Sequence, residues 1–442
     1  MTNNNLENNK EFTLFPWAVQ GGFNPIDVVD ADGVYIYEKS GKAHIDFSSQ
    51  LMNVNCGHKN KTINDAMKKQ IDQFTYVHPS MSTAPKGELG KMLKEVAPSN
   101  MQKTFFTSGG ADSIEYAIQM ARLVTNRSKI ISRYRSYHGA SYGAMTAGGD
   151  PRKHAFDHNS MSNVVHVEDP YCYRCPWGQK ADSCKKECVS HVERIIEFEG
   201  PQNVAAILME GESGTSGCIK YPKGYWKGIE KIAKKHGILI IVDEVMSGFG
   251  RCGQWFAINE TGVEPDMIVM AKGINSGYVP LGAVMVSKEI ADFFDKHMLP
   301  TGLTYSGHAL ACAAGVANMQ FMHDENIVER TKEMGEYLIA QVEKLKEKHP
   351  SIGDFRSTGL LGCIELVKNR ETKECLIPWN AKPEESEVMK KIIAKFRELG
   401  LFTFARWNHI FIAPPLIISK EELDAGLEII SSALEIADSF CE

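Results

Sequence analysis

From about residue 60 to 320 six short apolar runs alternate with stretches of helical periodicity, an arrangement that leaves few folds open. The runs cover 129–132, 164–167, 204–209, 239–242, 267–270 and 283–286, and helical patterns lie at 113–124, 191–198, 226–236 and 310–322. A strand that is apolar at every position has both faces buried. Helices between such strands supply the cover, so the expected fold is α/β with a mostly parallel sheet. Ligands of such sheets bind beyond the carboxyl ends of the strands. Two of the runs end in reactive groups there: Val242 leads into Asp243-Glu244-Val245, and Met270 into Ala271-Lys272-Gly273.

An unpaired ammonium group at the end of a buried strand costs several kcal/mol or gives up its proton. A lysine kept in such a place serves as a neutral, nucleophilic amine. A Schiff-base lysine and a buried carboxylate are the two fixed protein parts of a pyridoxal phosphate site. A third part precedes the helical pattern at 113–124, where Thr107-Ser108-Gly109-Gly110-Ala111-Asp112 would leave bare N–H groups at a helix start. An anion such as phosphate is favoured there, although Ser108 or Asp112 could instead cap the helix. Tyr137-His138-Gly139 follows the run at 129–132 and offers a ring to stack on a flat cofactor or to pack in the core. Arg406, shortly before Pro414-Pro415, could clamp a carboxylate or sulfonate or stay solvated.

Other motifs point away from competing chemistry. Gly248-x-Gly250-x-x-Gly253 matches the dinucleotide fingerprint in letters, but five residues separate it from its strand and no helix start follows, so a glycine-rich loop is expected. His154 and His158 have metal spacing without a third ligand and read as surface. Cys172, Cys175, Cys184 and Cys188 form a C-x2-C-x8-C-x3-C cluster that superficially resembles a zinc site; it is read as an ordered loop with reduced thiols, with zinc and redox chemistry as the alternatives and no metal assigned. The 49 Lys and Arg against 55 Asp and Glu give −6, which argues against an electrostatic nucleic-acid binder. No apolar run approaches a membrane span, and the polar start Met1-Thr2-Asn3-Asn4-Asn5 has no signal-like region, so a soluble, cytoplasmic protein with a frayed tail is expected.

Three regions are expected along the 442 residues. Residues 1–60 carry an antiparallel meander at 27–48, punctuated by Asp32-Gly33 and Ser40-Gly41, and belong to a small domain. Residues 61–325 form the large cofactor-binding α/β domain. Residues 326–442 begin with a long helix at 327–348 and continue as strand, helix, strand, helix at 359–367, 384–399, 410–413 and 421–440, the rest of a small α+β domain.

Asp243-Glu244-Val245-Met246-Ser247-Gly248-Phe249-Gly250-Arg251 followed by Met270-Ala271-Lys272-Gly273 resembles the class III pyridoxal phosphate aminotransferases, and the likeness covers nearly the whole chain. It extends to the meander near Gly33, to Ser108-Gly109-Gly110-Ala111-Asp112, Tyr137-His138-Gly139, Thr304-Tyr305-Ser306-Gly307-His308 and Pro414-Pro415-Leu416. The resemblance implies the aspartate-aminotransferase fold, pyridoxal 5'-phosphate as cofactor, and a homodimer with sites at the subunit interface, with pairing into tetramers left open. Lys272 would carry the cofactor and Asp243 would keep its pyridine nitrogen protonated. Val245 and Tyr137 would sandwich the ring with His138 beside it, Gly110 and Ala111 would bind the phosphate, Thr304 would reach it from the partner subunit, and Glu210 would lie near the cofactor.

Met246, where many ornithine-type members have glutamine, looks like the branch acting on ω-amines and β-amino acids. Phe15-Pro16-Trp17 and Tyr171-Cys172-Tyr173-Arg174-Cys175-Pro176-Trp177-Gly178 look most like taurine aminotransferases, where such loops occur without a recognised metal role. The implied reaction converts taurine to sulfoacetaldehyde with 2-oxoglutarate or pyruvate as acceptor, with Trp17 walling the pocket and Arg406 gripping an acid group. The alternatives are another ω-amine donor (β-alanine, 4-aminobutyrate or a diamine), then a mutase, racemase or decarboxylase of the same fold. Glu210-Gly211 replaces the family's Glu-Pro, and Asp112 stands where glutamate is common.

Overall fold

The computed structural model describes residues 5–441; of the tail expected at the start, residues 1–4 lie outside the described residues. Its centre is a seven-stranded sheet in the order Met101–Thr107, Gly282–Ser287, Met267–Met270, Leu239–Asp243, Val204–Glu210, Lys129–Arg133, Val164–Val167. The last five strands pair in parallel, and Gly282–Ser287 runs antiparallel to both of its neighbours. All six expected strands are present. The additional strand, Met101–Thr107, has a polar middle in Gln102, Lys103 and Thr104, which hides it from a search for apolar runs. Val204–Glu210, Met267–Met270 and Gly282–Ser287 are buried at every position, as expected of strands covered on both faces.

Helices cover the sheet as the periodicity requires. Tyr225–His236 buries Tyr225, Trp226, Ile229, Ile232 and Ala233, one stripe at helical spacing, and ends in Gly237 at φ 60°, a left-handed stop that suits glycine. Each fully buried aliphatic side chain of such a stripe contributes about 1.5–3 kcal/mol relative to exposure. The helix expected at 113–124 starts three residues earlier, as Gly110–Thr125, which brings Gly110 and Ala111 into its first turn.

The meander is present as Val28–Asp32, Tyr35–Glu38 and Ala43–Asp46, with Gly33 and Gly41 at positive φ in its turns. Ala43–Asp46 also pairs in parallel with Leu401–Phe402, so the first strands join the last part of the chain. After the helix Ile327–Lys348, Ile352–Thr358 pairs antiparallel with Leu361–Asn369, which pairs in turn with His409–Ile412. The helices Glu387–Leu399 and Lys420–Asp438 complete this region, the latter opened by a Ser419–Glu422 capping box. Among the described residues, no helix is long and apolar enough to cross a membrane.

Candidate active site

Strand register gathers the central charges. Glu210 is the cross-strand partner of Asp243, and Asp243 that of Val269, so two carboxylates stand side by side at the carboxyl edge of the sheet, with Lys272 three residues past Val269. Lys272 opens a short 3-10 turn at φ 46°, a left-handed conformation that a non-glycine residue holds at some cost. Burial of its amine pushes its pKa down to about 8 although Asp243 and Glu210 pull the other way. The neutral, nucleophilic form of the amine, though still the minority near physiological pH, is therefore far more populated than in an ordinary lysine.

Asp243 is held from two sides. Its Oδ1 accepts the Val245 N–H at 2.9 Å, and its Oδ2 lies 2.7 Å from His138 Nδ1. The His138 ring is buried, with Nε2 3.4 Å from Ser132 Oγ. Glu210 Oε2 accepts from Arg133 Nη2 at 2.8 Å, and Arg133 also donates to Asp169 at 3.1 Å. Burial nonetheless pushes Glu210 up to about 7. The adjoining Glu244 acts elsewhere, since its carboxylate accepts from Ser247 Oγ, Ala257 N and Ile258 N and so ties down the glycine-rich loop. No α-helix follows that loop, which removes the dinucleotide reading.

The opposite wall comes from the helix Gly110–Thr125 and the loop after Lys129–Arg133. Neither Ser108 nor Asp112 caps the helix: its N-cap is Gly109 and no side chain takes its first N–H groups. Gly110 cannot carry a side chain without crowding, because a Cβ there would meet the Val245 methyls at 3.1 and 3.2 Å. Glu115 on the same helix accepts from Ser141 Oγ, Gly143 N and Ala144 N, which fastens the segment carrying Tyr137 and His138.

The result is a cavity of about 260 Å³. Gly110, Ala111, Tyr137, His138, Glu210, Asp243, Val245 and Lys272 all line it. Met246 and Glu212 lie on its wall too; Glu212 Oε1 is buried without a partner, and burial pushes this carboxyl up to about 8. The volume sits just under the roughly 300 Å³ lower end of ordinary ligand pockets, a size for one ring with small substituents. Bare helix N–H groups at one place, a buried carboxylate at another and a lysine of lowered pKa at a third fit a flat, anionic, aldehyde-bearing ring.

Three expected site residues fall outside this cavity. Arg406 donates to Asp150 at 2.7 Å and lies 3.9 Å from the centre of the Trp407 ring. Asp150 also holds Arg152 through Nε at 2.7 Å and Nη2 at 3.1 Å, and Arg152 stacks on Tyr137, 4.0 Å from its ring centre. A pair of guanidiniums sharing one buried carboxylate thus adjoins the cavity by way of Tyr137. Neither Arg152 nor Asp150 is among the residues expected from sequence, because Asp150-Pro151-Arg152 has no motif to mark it. Thr304 is exposed in a different depression with Tyr76 and Lys86, and Tyr76 Oη donates to its carbonyl at 2.9 Å. Trp17 is 65% exposed at φ 57° and lines no part of the cavity. His154 and His158 are exposed, in keeping with a surface reading.

Comparisons with known proteins agree with this geometry. Residues 18–434 match the family described as "Aminotransferase class-III". A solved structure of taurine:2-oxoglutarate aminotransferase from Bifidobacterium kashiwanohense, in complex with PLP and glutamate, superposes with a TM-score of 0.95 at 42% identity, covering 98% of this chain and 97% of that one. The leucine/methionine racemase of Thermococcus litoralis is 35% identical over 95% of this chain and 93% of its own length. The putrescine–pyruvate aminotransferase of Pseudomonas aeruginosa is 32% identical over 93% and 90%.

Proposed function

The chain belongs to the class III aminotransferase family, and on that premise we propose that it moves the amino group of taurine to 2-oxoglutarate or pyruvate, releasing sulfoacetaldehyde. Pyridoxal 5'-phosphate, the family's cofactor, supplies when bound an electron sink for the carbon that carries the amine. Gly110 and Ala111 would hold its phosphate through N–H groups that no side chain uses. Tyr137 and Val245 would flank the ring, with Glu210 beside it. Asp243 would keep a proton on the ring nitrogen, and His138 orients that carboxylate. Lys272 would carry the cofactor between turnovers and, once freed by the incoming amine, take the proton from the substrate carbon and return it elsewhere.

The observation that carries the choice of substrate is the pair Arg152 and Arg406 beside Tyr137. With Asp150 the three charges leave one net positive charge, suited to a sulfonate or carboxylate and unsuited to a diamine. Trp17 we assign to the outer wall of the substrate pocket, on the likeness of its segment to taurine aminotransferases. The exposed Thr304, outside its own chain's cavity, supports a homodimer in which it reaches the partner's phosphate site. The pairing of Ala43–Asp46 with Leu401–Phe402 supports a small domain made of 1–60 and 326–442 around a large one at 61–325.

Purified enzyme with taurine and either keto acid should form glutamate or alanine together with sulfoacetaldehyde; absence of both amino acids sinks the assignment, and β-alanine, 4-aminobutyrate and putrescine in the same panel separate the neighbouring readings. The likeness to a leucine/methionine racemase supports a second reading. L-Leucine incubated without any keto acid distinguishes it: loss of optical rotation would favour the racemase.

A further inference from the structure

Four of the eleven cysteines take no part in the site described above, yet they converge. Cys172, Cys175, Cys184 and Cys188 all line one cavity of about 20 Å³, beneath Pro170 and Trp177 and next to Lys186. A space of that size accepts a single water-sized particle and no metabolite. All four are free thiols, with Cys188 buried and the other three half-buried. Cys172 opens the short 3-10 turn Cys172–Arg174, Cys175 follows that turn, Cys184 lies in the return of the loop, and Cys188 is the second residue of the helix Glu187–Glu199.

The loop between Pro170 and Lys186 has little regular secondary structure of its own. Its internal backbone hydrogen bonds belong to short turns, such as Arg174 N to Tyr171 O, Gly178 N to Cys175 O and Ser183 N to Lys180 O. Yet it has to be well placed: Tyr171 Oη and Arg174 Nε both donate to Glu365 on the strand Leu361–Asn369, and Lys373 Nζ donates to the Tyr173 carbonyl. A segment too short for a core of its own commonly depends on a staple.

We propose that this loop is a structural zinc site in which Cys172, Cys175, Cys184 and Cys188 bind one Zn²⁺ as thiolates. The order C-x2-C followed by a second cysteine pair suits a closed four-sulfur tetrahedron. Among the described residues no His, Cys, Asp or Glu side chains are preset as a metal-holding group of three, so the site requires the ion to bring the thiols closer together around the cavity they line. Four S–H protons leave as four Zn–S bonds form, and the site changes from neutral thiols and a dication to a net charge of −2. Lys186 on the cavity wall offers that charge a cation. This site is independent of the transamination chemistry.

The test is zinc content by elemental analysis of the full-length holoenzyme, grown with zinc and gel-filtered in metal-free buffer. One zinc per chain is expected, falling below about one fifth in Cys184→Ser/Cys188→Ser and unchanged in Cys375→Ser/Cys441→Ser. Zinc-free wild-type protein, or zinc retained by the first variant, overturns the site. If that variant does not fold, wild-type protein exchanged into Co²⁺ decides: thiolate-to-cobalt charge transfer with tetrahedral d–d bands is expected, and octahedral cobalt spectra contradict it. Native thiol titration supplies a further reading, since four thiols missing without zinc would mean disulfides and overturn the proposal.

Discussion

At the inner wall of the cavity the charged groups stand on adjacent strand ends, whereas beside its outer rim they come from the start of the short 3-10 helix Pro151–Ala155, with its N-cap Asp150, and the two-residue strand Ala405–Arg406, 256 positions apart in sequence between Asp150 and Arg406. Sheet register fixes the inner set: once the apolar strands pair, Glu210 and Asp243 have to be neighbours. The outer set is fixed by ion pairs through Asp150, which exchange partners more readily than a sheet shifts register. The inner set therefore suits a permanent cofactor, and the outer set suits substrates that come and go.

Replacing groups in each set should break the comparison in different ways. Lys272→Ala strikes the inner set hardest: turnover should fall by at least the about 10²–10⁴-fold typical of a lost acid–base group, and the visible band of the lysine-bound cofactor should vanish. Retained absorbance with turnover would refute the role. Asp243→Asn removes a buried charge paired with His138, a change of about 2–5 kcal/mol when one partner is truncated, so kcat should drop at least about 30-fold for every donor alike. A drop confined to one donor would move Asp243 out of the cofactor's service.

In the outer set, Arg152→Ala and Arg406→Ala should each cost about 10–100-fold in kcat/KM for acidic donors and acceptors, as expected of a charge-assisted hydrogen bond worth about 1.5–3 kcal/mol. An uncharged amine of similar length should be almost unaffected; equal losses for both donors would assign the arginines to structure. The smallest effect is on pH. Because burial places Lys272 at about 8 in place of 10.5, the cofactor-free folded chain binds fewer protons than the unfolded chain between those values. Its stability should rise with pH through that window, and the rate of cofactor capture should rise with a midpoint near 8. A capture midpoint near 10.5 would show that burial does not lower this amine.

The same division governs what the amino-acid sequence reveals. Asp243 and Lys272 can be read because an apolar run must end somewhere and its next residues face the crevice. Gly110 and Ala111 follow from small residues ahead of an apolar helical stripe. Met101–Thr107 escapes because Gln102, Lys103 and Thr104 interrupt its apolar pattern within a sheet that tolerates them. Arg152 escapes for a different reason: its position over Tyr137 depends on a carboxylate two residues away and on Arg406 far along the chain. No local pattern encodes a long-range ion pair. The four cysteines are plain in the sequence, but the single cavity they share becomes visible only in three dimensions.

The most direct test of an anion-selecting rim over a cofactor-holding floor is the ratio of kcat/KM for taurine to that for putrescine, with 2-oxoglutarate as acceptor. Taurine should be favoured by at least about tenfold, the value of one charged contact of about 1.4 kcal/mol. A ratio of one or below would contradict the assignment.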